Sequence, residues 1–179
     1  MKRLSAIIII SLLFSCKRKM SHDEALNYYV IVSIQQKEVT GLVKLFSAKL
    51  SKFITLDSFK RTFGQYDSIK KDYYTLIDQI DKKTFILDKL ASDKENIYLK
   101  NSAINYIRDT RNILVNDVFK VIHYYKPVSN KEPAKISERR FFLSRRQGLI
   151  TDDMVFKKLS EIFRKQYHIT DDELIKYNL

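Results

Sequence analysis

Cysteine occurs once in the 179 residues, glycine three times, proline twice and histidine three times. A single thiol excludes an intrachain disulfide and any metal site built on several cysteines. His22, His123 and His168 stand far apart in the chain and belong to no HExxH or Cys/His constellation. Three scattered glycines cannot build a phosphate-cradling loop, and no G-x-S-x-G elbow occurs. With so little glycine and proline, tight turns are few and long helices are favoured. A run long enough to cross a bilayer is missing too. The most apolar stretch, from Leu4 to Phe14, reaches with Ser15 only about 18 Å as a helix, against the ~30 Å of a bilayer core.

What the chain has is positive charge, a formal +12, and a hydrophobic fraction of 45%. The second is ordinary for a folded domain and excludes wholesale disorder. The first suits an anionic neighbour. Met1, Lys2 and Arg3 open the sequence with positive charge, and the apolar stretch follows, ending on Ser15 and Cys16. A cationic start, a short apolar core and a small residue before a cut are the pattern of an export signal. The tetrapeptide "LFSC", Leu13 to Cys16, resembles the lipobox of bacterial lipoprotein precursors. Phe14 is bulkier than the usual residue there, which is similar to the relaxed lipoboxes of spirochaetes. The resemblance implies that 1–15 is removed, that the Cys16 thiol carries a diacylglyceryl group and that the new amino group is open to acylation. Two or three chains at about 0.8 kcal/mol per buried CH₂ anchor a protein permanently. Lys17, Arg18 and Lys19 would lie at the headgroups, each adding about 1 kcal/mol on an anionic surface. The implied location is a bacterial membrane, with the outer membrane favoured, on its periplasmic face or at the cell surface.

No Ser/Gly/Asn-rich tether follows. "SHDE" supplies a capping box, Ser21 with Glu24, so 16–20 forms a short membrane-proximal segment before the folded body. The expectation is an all-α fold: three long antiparallel helices in an elongated bundle over 21–126, then short C-terminal helices. The first runs from about His22 to Lys52, with Leu42, Leu45, Phe46, Leu50 and Phe53 on one face and a kink possible at Gly41. Its start, "ALNYYVIVSI", is apolar and β-branched enough to leave a buried strand open. The second follows an N-cap at Asp57, with apolar residues from Phe59 through Phe63 and Tyr73 to Leu90 at helical spacing. The third begins near Ser92 or Asp93 and carries Ile97, Ile104, Ile107, Leu114, Val118, Val121 and Tyr125. Both prolines fall in the linker 127–136. Beyond it, 137–179 reads as a basic helical appendage packed on the body. "ITDD" occurs twice there, at 150–153 and 169–172, each read as a helix start with a Thr cap and aspartates at the positive end of the dipole.

The Tyr28–Tyr29, Tyr73–Tyr74 and Tyr124–Tyr125 pairs read as one buried ring and one ring at the edge, since adjacent helical residues point about 100° apart. The paired aspartates read as ordinary low-pKa caps rather than an acid and a base. The densest basic segment is "ERRFFLSRRQ", where Arg139, Arg140, Arg145 and Arg146 bracket Phe141 and Phe142. Guanidinium forks bind carboxylate and phosphate in bidentate fashion, so this segment is the expected partner contact; a solvated basic face is the plainer alternative. The functional expectation is a non-catalytic, lipid-anchored interaction protein with no cofactor and no metal, binding a protein or another anionic component of envelope or host. An envelope enzyme and a purely structural spacer are the alternatives. Nucleic acid fits the charge but not the export.

Overall fold

A computed structural model of the chain describes residues 19–56, 60–127 and 136–179, without the side chains of 136–147. Every element in these residues is helical. Helix α1 is His22–Thr55, α2 is Phe63–Lys89 and α3 is Ile97–Ile113. A π-helical turn, Leu114–Val118, carries α3 into α4, Phe119–Tyr124. The 32-residue α5, Ile136–Tyr167, and the short α6, Asp171–Ile175, complete the chain. Residues 1–18, with Cys16, Lys17 and Arg18, and also Asp57, Phe59 and most of the proline linker lie outside the described residues.

The helix starts follow local chemistry. Ser21 and Glu24 form the expected box: the Glu24 carboxylate accepts the Ser21 N–H at 2.8 Å, and Ser21 Oγ accepts that of Glu24 at 3.3 Å. Helix α2 is capped by Thr62 with Gln65, not by Asp57. At the other end of that connection Arg61 seals α1. Its guanidinium donates to the carbonyls of Ile54 at 2.9 Å and Leu56 at 2.7 Å, and Tyr125 lies 4.6 Å from it as a cation–π partner. These are the carbonyls that a helix end leaves without partners, so this cation is structural.

Side-chain pairings give the helix directions. Between α1 and α2, Glu38 meets Lys83 and Lys49 meets Asp72, so the two are antiparallel. Asp88 with Arg108 and Asp81 with Arg111 set α3 antiparallel to α2. Tyr28 over Phe163 and Gln36 to Asp153 set α5 antiparallel to α1. Helices α1 and α3 each pack on both α2 and α5, which flank them on opposite sides. The segment expected as an appendage thus supplies a full-length fourth helix, with Phe156, Phe163, Tyr167, Ile169 and Leu174 in the common core.

That placement explains where expectation and structure part. "ALNYYVIVSI" is helical, and Tyr28 and Tyr29 are both buried, both stacked on Phe163. Because α3 and α5 flank this part of α1, two faces need apolar residues, and the strand-like composition follows from that. Tyr73 is buried and Tyr74 half exposed, as expected. The first "ITDD" starts no helix: Ile150 to Asp153 lie inside α5, whose long packing face on α3 outweighs a local capping signal. At the second, Thr170 caps α6 and closes a box with Glu173. Past the π turn, Ile122 is buried in place of Val121, because the wider turn delays the helical phase. Gly41 lies within the continuous α1.

Candidate functional site

The pairings across the helices also define a common height along the bundle. Lys44 on α1, Ile77 on α2, Ile113 at the end of α3 and Arg146 on α5 lie near one level. On the near side of it, with Lys19 and both "ITDD" segments, fourteen Lys/Arg face fifteen Asp/Glu. On the far side the described side chains include Lys44, Lys49, Lys52, Lys60, Arg61, Lys70, Lys71, Lys120 and Lys126 against Asp67, Asp72 and Asp117. The first residues of α5 add Arg139, Arg140, Arg145 and Arg146 against Glu138. A charge that is thinly spread in the sequence is gathered at one end by the fold.

Ion pairs are concentrated in the near half, which also keeps Lys19, Lys37, Lys89, Lys94, Lys100, Lys158, Lys165 and Lys176 without one among the described residues. Lys82–Asp78, Lys83–Glu38, Arg108–Asp88, Arg111–Asp81, Lys157–Asp153 and Arg164–Asp171 all belong to the near half. Lys49–Asp72, at 2.8 Å, bridges α1 and α2 in the far half. Among the described residues, Lys44, Lys52, Lys60, Lys70, Lys71, Lys120 and Lys126 have no ion-pair partner. All but Lys70 are exposed. Exposed cations with few carboxylates around them raise the local potential at the far end and attract anions.

The arginine segment belongs to this end by its backbone. The Tyr167 carbonyl lies 2.8 Å from His22 Nδ1 at the first turn of α1. Counted back along α5 at 1.5 Å per residue, positions 146 and 139 lie about 32 and 42 Å from there. The side chains of Arg139, Arg140, Phe141, Phe142, Arg145 and Arg146 are outside the described residues, as are Cys16, Lys17 and Arg18; Lys19 is exposed at the opposite end. No helix of the described residues is long and apolar enough to cross a membrane.

Elsewhere the chemistry is sparse. Asp152 departs from the expected ordinary carboxylate: burial pushes its pKa up, helped by a hydrogen bond to Asp109 and by that residue's charge. The two face each other between α3 and α5, beside a cleft of about 500 Å³ lined by Asp109, Asn112, Asn116, Gly148 and Leu149. Asp153 is instead held by Lys157 and Gln36. His123 bonds Tyr66 Oη at 3.0 Å, and His168 is exposed in a left-handed turn ending α5. Among the described residues no three His, Cys, Asp or Glu side chains converge as a metal site would require. No protein-family model matches the chain, and neither does a curated protein or a solved structure.

Proposed function

We propose that this chain is a bacterial envelope lipoprotein, held by lipid on Cys16, that binds an anionic partner through the basic end of its helical bundle. The reading is non-catalytic and needs no cofactor. The observation that carries it is the segregation of net charge: lysines with few carboxylates among them and the arginine segment share the end remote from residue 19, while the other half balances fourteen Lys/Arg against fifteen Asp/Glu. A basic surface some 30 to 40 Å from the anchor, by helix rise, is set to meet a partner beyond the protein's own membrane. Arginine suits carboxylate or phosphate at close range, and the lysines add diffuse attraction that falls with salt.

Two experiments test the two halves of the reading. Cys16→Ala should remove fatty-acid labelling and move the protein out of the detergent phase; equal labelling of both chains would discard the anchor. Changing Arg139, Arg140, Arg145 and Arg146 together to Ser should abolish recovery of a partner cross-linked on intact cells, with helicity and anchoring intact. Unchanged recovery would reduce the segment to a solvated face.

A further inference from the structure

Leu45 has the spacing of a core residue but is 67% exposed, whereas Phe46 beside it is 5% exposed. It stands over a groove of about 410 Å³ between α1 and α2, lined by Leu42, Phe46, Ala48, Lys52, Thr75 and Leu76 among others. The floor is apolar. The surround is net basic: Lys44 and Lys52 flank Ala48 one turn either way on α1, Lys71 lies one turn before Thr75 on α2, and Lys49 and Asp72, which also line the groove, neutralise each other at 2.8 Å. None of Lys44, Lys52 and Lys71 has an ion-pair partner among the described residues. The α1 rim is also low. Ala48 is exposed, and at Gly41 a Cβ would meet nothing within 4 Å. A partner backbone can therefore approach closely.

The geometry points to this groove as the seat of an acidic amphipathic helix from a partner protein. From Leu42 to Lys52 the groove runs about 15 Å, the length of nearly three helical turns. An apolar stripe at i, i+3, i+4 and i+7 would cover Leu45, Leu42 and Ala48, the mode by which helices fill apolar grooves. Carboxylates on the α1 flank of that stripe would meet Lys44 and Lys52, and Lys71 lies beyond the other flank. An acidic flank is favoured because the lysines are unneutralised within the chain, and a basic or neutral helix would leave them so. The inference deepens the proposed anionic partner by making it a protein helix, but it depends on neither the lipid nor the arginine segment.

A fluorescently labelled fourteen-residue helical peptide with leucines at that spacing and glutamates beside them is the probe. It is titrated against the full chain in a neutral detergent and followed by anisotropy. Saturable binding is expected. It should weaken at least tenfold in Leu45→Asp and in the triple change of Lys44, Lys52 and Lys71 to Glu. Ala48→Glu gives a second exposed lesion, with circular dichroism confirming the fold of each. The fourfold arginine-to-serine chain should bind the peptide as wild type does, so failure here and failure of the arginine contact are separable. Absent binding, equal binding of a sequence-scrambled peptide, or equal affinity in Leu45→Asp would overturn the proposal. So would Leu45-dependent self-association, or Leu45-dependent capture by anionic phospholipid vesicles without peptide binding.

Discussion

Leu45 and Leu87 occupy equivalent positions in the periodic pattern of their helices, yet one is 67% exposed and the other fully buried. Spacing places a residue on a face, and neighbouring helices decide which faces are covered. Leu87→Ala should cost about 2–5 kcal/mol, the lost transfer energy plus that of a cavity. Leu45→Ala should fall within about 0.5 kcal/mol of wild type. Denaturant melts of the two variants check this, and similar losses would contradict the assigned burial. Thr62 offers a second test. Removing its hydroxyl takes away the acceptor of the Gln65 N–H and leaves only the Thr62 N–H bond to Gln65 of the box, so Thr62→Ala should cost about 1 kcal/mol.

At the scale of elements, His22 ties the start of α1 to the end of the chain. Its Nδ1 faces the Tyr167 carbonyl at 2.8 Å and its Nε2 faces a Glu173 carboxylate oxygen at 2.6 Å. Both partners are acceptors, so both ring nitrogens must donate and the imidazole is held as the cation. Its pKa is raised above 6.5, first by the Glu173 bond, then by the Tyr167 carbonyl, with Asp23 adding charge. Glu173 is held down to about 2, chiefly by the Thr170 backbone N–H and by His22. A raised histidine pKa stabilises fully below the unfolded value and is lost as pH climbs through the folded one. A lowered carboxylate pKa stabilises above the unfolded value and is lost as pH falls through the folded one. The tie should therefore be strongest between about pH 4.5 and 6.5, the two ordinary values, and should weaken above. Hydrogen exchange across 169–179 should show protection falling as pH rises past the raised His22 pKa, after correction for intrinsic rates. In His22→Gln that dependence should vanish; its persistence would assign it elsewhere.

For the whole molecule, the balance of paired and unpaired charge sets the response to salt. Surface ion pairs such as Lys82–Asp78 are worth little, so screening them costs little. The lysines crowded at the far end repel one another, and screening shortens that repulsion from about 30 Å at 0.01 M to about 8 Å at 0.15 M. The melting temperature should rise with sodium chloride over this range. A fall would mean that the near-half pairs dominate. Changing Lys52, Lys70 and Lys71 to Gln should flatten the response.

The helical class, the capping boxes at Ser21 and Thr170, the break after Tyr125 and the basic character of the segment at 139–146 were all legible in the residues. They rest on local physics: periodicity, side chains that satisfy helix ends, and composition. The burial of Tyr29, the exposure of Leu45, the pairing of Asp152 with Asp109 and the continuation of α5 through Thr151 were not legible. Each depends on which helix lies alongside, and that is decided by packing between residues distant in the chain. The basic end belongs to both levels. The sequence held the lysines, but only antiparallel folding carried Lys44, Lys52, Lys70, Lys71 and Lys120 to the end where α5 begins, with few carboxylates among them.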